Sequence, residues 1–411
     1  MKPLIPVEDA LERLLDAFTR LEKINIPLDE AVGRILAEDI RAETDLPLFD
    51  NSSMDGFALL AADVTRACAT DPVSLAVVDD IPAGKTPAKS IRHGEAARIM
   101  TGAPLPAGAD AVIPVEETDF NQRAAGTPAP AHVQIYKPVK RGENLRKRGD
   151  DIRKGASILP RGQRLRAQDL GMLAMLGYAH VPVTRKVRVA LLSSGDELTP
   201  LGEKLDAGKI YDVNSYTLRA LLEAAGCEVI PLGVAADTPK SVLQALEKAE
   251  NADLILSSAG VSMGSFDFIK TVIEQNGKLD FWRINMRPGK PLTFGNYKNI
   301  PFIGLAGNPV SAFVGFLVFV QPVIEKMLGS TPQAQNRVRV RLAEPVQSDG
   351  RESYLRAIVY TEENQYHARL TGHQGAGNLF SMVQANALLI VPAGIKSLPQ
   401  GAELTAWLLD D

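Results

Sequence analysis

Two cysteines in 411 residues, Cys68 and Cys227, are too few and too far apart for a disulfide framework or a paired-cysteine zinc site. A reducing compartment fits that scarcity. The five histidines form no binding motif, so zinc is disfavoured as a cofactor. There is no excess of positive charge. The 45 basic and 49 acidic side chains leave a formal net charge of -4, which argues against nucleic acid as a partner. Long apolar runs are missing too. The stretch Ala312–Val323 is too short to span a membrane and carries Gln321 and Pro322. Met1–Pro6 has no apolar core of a signal peptide. These absences lead us to expect a cytoplasmic protein with no membrane and no nucleic-acid partner.

Five glycine-bearing turns lie between Val187 and Pro309, and three of them follow apolar, strand-like runs. Val187–Leu192 leads into Ser193-Ser194-Gly195-Asp196-Glu197. Leu254–Leu256 leads into Ser257–Gly264, and Pro301–Leu305 leads into Ala306-Gly307-Asn308-Pro309. The other two turns are Gly233–Asp237 and Arg287-Pro288-Gly289-Lys290-Pro291. Strand, glycine turn, then helix is the rhythm of an open, doubly wound α/β sheet, whose ligands collect at the carboxyl ends of the strands. Glycine lets a phosphate approach the backbone, and helix N-termini favour anions.

The length requires two to four domains. Apolar periodicity predicts helices over 7–23 and 28–40. Residues 55–139 are β-rich, with strands expected at 73–78, 111–115 and 132–136. A helix is expected at 167–176. The α/β segment follows over 186–329, with helices at 214–225, 239–251, 266–276 and 309–328. Short alternating runs between 338 and 407 predict a small C-terminal β-barrel or sandwich.

Several carboxylates fall in the turns of the α/β segment. Glu197 and Asp237 end successive strands and could converge; Asp267 follows the third turn. Alone, Glu197 also reads as a helix-capping acid, Asp237 as an ordinary loop residue and Asp267 as a solvated acid at a helix start. Clustered together they would repel unless a cation were present, and all-oxygen donors beside a phosphate suit Mg²⁺. Asn308 and Pro309 read as a helix cap, with Ser311 adding a hydroxyl near the amides. Arg287 and Lys290 put two cations on one turn. The basic run from Arg141 to Arg148, with Arg153 and Lys154, reads as a solvated loop.

Taken together, eight strings resemble the molybdopterin molybdenumtransferase family, the MoeA-like proteins related to the gephyrin E domain. They are Asn51–Ala58, Arg98–Pro104, Arg146–Ile152, Ser194–Leu198, Ile210–Asn214, Val261–Gly264, Pro288–Pro291 and Gly307–Ser311. The resemblance covers essentially the whole chain, and it implies molybdenum insertion into adenylylated molybdopterin, using molybdate and releasing AMP. It implies four parts: an elongated discontinuous domain (1–45 and 140–185), an inserted β domain (46–139), a molybdopterin-binding-like α/β domain (186–329) and a C-terminal β-barrel (330–411). It further implies a homodimer, and as partners the molybdopterin adenylyltransferase and recipient molybdoenzymes.

By the same resemblance, Glu197, Asp237 and Asp267 surround the divalent ion, Mg²⁺. Asp212 and Asn214 match the nucleotide loop, and Gly260, Ser262, Gly264 and Pro309 the remaining turns of the ligand site. Asp55 and Thr101 match residues reaching the site across the dimer. Lys290, Ser311 and Arg356 match a molybdate cluster, with Arg287 where a lysine is usual. Ala259, Ala306 and Ala376 depart from the family's usual glycine, proline and serine. The competing readings are a tungstate-preferring paralogue, an adenylyltransferase sharing the α/β fold, and a non-catalytic molybdopterin carrier or scaffold.

Overall fold

The computed structural model describes residues 4–120, 126–258, 268–331 and 336–409, with only the backbone of 281–282. The chain forms two compact units. One comprises Met1–Glu38, Arg161–Ala174 and Tyr178–Asp411; the other comprises Asp39–Pro160 and Met175–Gly177.

The first helix, α1 (Val7–Asp16), buries Val7, Ala10 and Leu14 along one face. It stops earlier than the periodicity predicts. Lys23–Pro27 is strand β1 instead, because β-branched Ile24 and Ile26 prefer an extended chain. The helix expected over 28–40 is reduced to one turn, Leu28–Glu30. Gly33, at φ +75°, takes the chain out of the helical region. Ile35 and Leu36 then form isolated bridges with Arg164 and Val183.

In the smaller unit, β2 (Gly56–Leu59), β3 (Val73–Ile81), β4 (Glu95–Ile99), β5 (Ala111–Pro114) and β6 (His132–Ile135) form one sheet in the order β5-β2-β4-β3-β6. Phe57, Leu75, Ile113 and Val133 build its core. Strands β2 and β4 escape propensity because glycine and alanine dominate them. At Gly56 a β-carbon would lie 1.9 Å from the Ile113 carbonyl oxygen, so the pairing needs glycine there.

The larger unit resumes with α2 (Ala167–Met175) and β7 (His180–Thr184), which pairs antiparallel with β1. The α/β segment then runs β8 (Arg188–Ser194), α3 (Asn214–Ala224), β9 (Glu228–Ala235), α4 (Pro239–Glu247), β10 (Leu254–Ser258), α5 (Phe268–Asn276), β11 (Gly277–Arg283), β12 (Pro291–Tyr297), β13 (Ile300–Leu305), α6 (Pro309–Gly315) and α7 (Gln321–Leu328). Its sheet order is β9-β8-β10-β13-β12-β11. The first four strands are parallel, and β12 and β11 are antiparallel additions that the apolar pattern did not reveal. Alternation along β8 shows the double winding. Val189 and Leu191 pack with Leu218 of α3 and Val310 of α6, whereas Ala190 and Leu192 pack with Val242 of α4 and Ile273 of α5.

Between α6 and α7 the helix continues through a wider π-type turn, Phe316–Val320. The whole run Pro309–Leu328 is, among the described residues, the one helix long and apolar enough to cross a membrane. Within the test window 72% is buried, so its apolar character is that of a core helix.

The C-terminal strands β14 (Arg337–Leu342), β15 (Glu352–Glu362), β16 (Gln365–Leu370), β17 (Ala387–Val391) and β18 (Glu403–Leu408) close into a barrel, β15-β16-β14-β18-β17 and back to β15. A short helix, α8 (Phe380–Gln384), precedes β17. Tyr354, Leu388 and Trp407 on the barrel exterior join the same apolar cluster as α1 and α7. The barrel and the α/β sheet therefore share a core.

One ion-pair network ties the β1–β7 pair to the α/β sheet. The Arg185 guanidinium donates to Asp253 Oδ1 at 2.7 Å and also bonds Glu22, while the Arg188 amide donates to Asp253 Oδ2 at 2.8 Å. Burial opposes ionisation of Asp253, but the bonds from Arg185 and Arg188 prevail and hold its carboxyl below the usual range. That stabilisation is therefore present above the ordinary carboxylate pKa and lost as pH falls through the lowered one. We expect Arg185→Met to destabilise the fold by about 2–3 kcal/mol at neutral pH, less than for a fully buried pair because both side chains keep some exposure. Urea titrations at pH 7 and pH 3 check this: the deficit should shrink at the lower pH.

Candidate functional site

The parallel registry of the α/β sheet decides which turns meet. Ser194 of β8 lies beside Ala235 of β9, and Ser193 lies beside Ser258 of β10. The turns that follow Ser194 and Ala235 share one rim. Asp196 and Asp237 are linked across it: the Asp237 amide donates to Asp196 Oδ1 at 3.0 Å, and the Asp196 amide to Asp237 Oδ2 at 3.4 Å. Next to Asp237, Thr238 caps α4, its Oγ1 accepting from the Ser241 amide at 3.2 Å. Burial raises the Asp237 carboxyl; the Asp196 amide opposes this, and the charges of Asp196 and Glu197 add to it. Asp237 thus lies within reach of the Glu197 charge. Glu197 folds back over Gly195, at φ +147°, where a β-carbon would meet its carboxylate at 2.5–2.8 Å. A side chain at position 195 would push that carboxylate aside.

A cavity of about 450 Å³ opens on this rim. Glu197, Asp212, Asn214, Ser258, Gly307 and Pro309 are among the residues that line it. Asp212 and Asn214 are buried at the start of α3. Asp212 Oδ1 accepts from the Ser215 amide at 3.1 Å, and the Ser215 hydroxyl bonds Asp212 Oδ2. Ser193 and Ser215 join hydroxyls at 2.8 Å. The Asn214 amide group donates to Ser258 Oγ and to the Gly307 carbonyl, both at 2.7 Å, and so fastens α3 to the end of β10 and to the turn after β13. Ser193, Ser215 and Ser258 have no spacing signal in the sequence that would have singled them out.

A second, cationic group lies where the Arg287–Lys290 turn, α6 and the barrel come together. Gly289 lies against Ser311, where a β-carbon would be in ordinary contact with the Ser311 carbonyl oxygen at 3.5 Å. Ser311 is buried in the first turn of α6. Pro309 stands at that helix's start and Asn308 at its cap, although the Asn308 side chain makes no capping bond. The Val310 amide is occupied, donating to the Ala376 carbonyl at 3.1 Å. Arg356 on β15 is 1% exposed. Its Nε donates to Ser381 Oγ and its Nη2 to the Gly375 carbonyl, each at 3.0 Å. Among the described residues no carboxylate pairs with it. Burial, with the neighbouring Arg287 charge, pushes its pKa down to about 10, so it stays protonated at neutral pH. A buried cation without an acid is a place for an anion.

Asp55 and Thr101 belong to the smaller unit, where both the amide and the hydroxyl of Thr101 donate to Asp55 Oδ1, at 2.7 and 2.6 Å. Gly260, Ser262, Gly264 and Asp267 lie outside the described residues, as does Ala259. Among the described residues no group of three His, Cys, Asp or Glu is gathered as a metal site.

Comparison with known proteins gives this geometry a family. Residues 5–177 match the MoeA N-terminal region (domain I and II), 190–326 a probable molybdopterin binding domain, and 339–409 the MoeA C-terminal region (domain IV). A molybdopterin molybdenumtransferase from Haemophilus influenzae is 36% identical, over 98% of both chains. The chain belongs to the molybdopterin molybdenumtransferase family. A Bacillus subtilis molybdopterin molybdenumtransferase is 33% identical over 98% of this chain and 94% of its own. The crystal structure of a molybdopterin biosynthesis MoeA protein from Pyrococcus horikosii superposes with a TM-score of 0.84 at 33% identity, covering all of both chains. Membership makes this chain a transferase of molybdenum cofactor biosynthesis. For a molybdopterin molybdenumtransferase, the two groups of residues fall into natural roles: an acidic, glycine-lined rim beside a cavity, and a cationic group next to it.

Proposed function

We propose that this transferase inserts molybdenum into adenylylated molybdopterin, taking molybdate as the metal source and releasing AMP. One observation carries the reading: among the described residues the buried Arg356 has no acid to pair with, and it sits near Arg287, in a fold whose neighbouring cavity is lined by Asp212 and Asn214. The cationic group holds molybdate, with Lys290 and Ser311 completing it. The cavity takes the nucleotide half of the substrate. An oxygen of molybdate attacks the adenylyl phosphorus and the anhydride bond to the pterin phosphate breaks, giving adenylyl molybdate and the free pterin phosphate. The two dithiolate sulfurs then bond the metal as its bond to the bridging oxygen breaks, and AMP leaves with that oxygen. Positioning of the two reactants by these residues supplies most of the rate.

Glu197 and Asp237 offer only oxygen donors, and a hard cation offsets both the burial and the neighbouring acid charges that raise the Asp237 carboxyl. We propose that they hold Mg²⁺ together with Asp267. When bound, the ion neutralises charge on the phosphate. We also propose a cytoplasmic homodimer in which Asp55 and Thr101 of a second copy complete the site. Their mutual hydrogen bonds, which fix the carboxylate beside the hydroxyl, support a shared role. The experiment that tests the reading is AMP release from the adenylylated pterin by the purified chain, which should require molybdate.

A further inference from the structure

Among the described residues no ion pair anchors Arg356; hydrogen bonds to neutral acceptors do. Its guanidinium is buried, is repelled by Arg287, and has no carboxylate partner among the described residues. What orients it is neutral. Ser381 Oγ accepts from Nε at 3.0 Å while donating its own proton to the Asn378 carbonyl at 2.6 Å. That second bond matters: it commits the hydroxyl hydrogen elsewhere and turns an oxygen lone pair toward the arginine. The Gly375 carbonyl takes Nη2 at 3.0 Å. Gln374 clips the backbone of the same residue, accepting from the Arg356 amide at 2.9 Å and donating to its carbonyl at 3.0 Å. One loop therefore grips Arg356 at both main chain and side chain. The same loop accepts the Val310 amide through Ala376, so it also grips the start of α6 where Ser311 sits.

We infer that Ser381 is a positioning residue for oxyanion binding, which fixes the Arg356 guanidinium toward the anion through its Oγ. The inference rests on the molybdate reading above and extends it to a residue that touches no substrate. It also addresses Ala376, which brings no hydroxyl of its own to the loop. With Ala376 bare, orientation of the guanidinium depends on Ser381 and on a backbone carbonyl. Removing the Ser381 acceptor leaves the Nε hydrogen unpaired in a buried place, and the guanidinium must rotate to find another acceptor.

Ser381→Ala, Ser381→Cys and Ser381→Thr, made in the full chain, test this by titration calorimetry with sodium molybdate and, separately, with AMP. We expect Ser381→Ala to weaken molybdate binding roughly tenfold, with AMP affinity unchanged. Ser381→Cys, close in volume but a poor acceptor, should behave like Ser381→Ala and covers the case in which the alanine variant does not fold. Ser381→Thr keeps the acceptor and should stay within about threefold of the parent protein. Unchanged molybdate affinity in both the alanine and cysteine variants would overturn the inference while leaving the molybdate reading intact. Equal losses of molybdate and AMP binding would overturn it too, since they indicate a general structural role. A parent protein that binds AMP but no molybdate would overturn the reading beneath it.

Discussion

Glu197→Gln should lower AMP release from adenylylated molybdopterin by roughly 10²- to 10³-fold, while the melting temperature stays within a few degrees of the parent value. The substitution keeps the shape of the side chain and removes its charge. Glu197 is cavity-lining and lies over Gly195 rather than inside a core cluster, so the fold loses little. The loss arises because one of the two described carboxylates proposed to hold the ion no longer offers an anionic oxygen. Raising Mg²⁺ concentration should recover part of the activity if the defect is weakened cation binding. Stopped-assay quantification of AMP, with thermal melts alongside, checks both halves. Full AMP release by Glu197→Gln would remove the residue from the site.

Arg356→Met should likewise separate stability from function. Taking away the buried guanidinium removes an uncompensated charge and its repulsion with Arg287, and methionine fills much of the volume. Two hydrogen bonds are lost, to Ser381 and to the Gly375 carbonyl, which offsets part of the relief. We expect the melting temperature to stay within a few degrees, with molybdate affinity reduced by roughly 10²-fold. AMP binding should be untouched, because the nucleotide cavity is lined by Asp212 and Asn214 and not by Arg356. Parallel titrations with molybdate and AMP decide the matter. A large drop in stability would mean that the guanidinium is a structural strut rather than a binding group.

Much of the α/β segment was legible because its parallel strands are buried on both faces and read as apolar runs, each closed by a glycine turn. Val189–Leu192 and Leu254–Leu256 are of this kind. The antiparallel strands β11 and β12 were not, because Lys278, Asp280, Asn296 and neighbouring glycines break their apolar pattern. At 28–40 the apolar spacing pointed to a helix, but Gly33 and long-range bridges to Arg164 and Val183 prevailed. Convergence of Glu197 with Asp237 followed from their places at the ends of successive strands. By contrast, the grip of Ser381 on Arg356 and of Asn214 on Gly307 joins residues 25 and 93 positions apart. No local pattern encodes such pairs. The Asp55–Thr101 pair, 46 residues apart, was legible only through family resemblance.

The measurement that bears most directly on the account is AMP release from adenylylated molybdopterin by purified protein, with molybdate and Mg²⁺ each added or withheld. The account predicts release only when both are present, with sulfate unable to replace molybdate. Release that proceeds equally well without molybdate, or tight binding of the adenylylated pterin with no release under any condition, would contradict it.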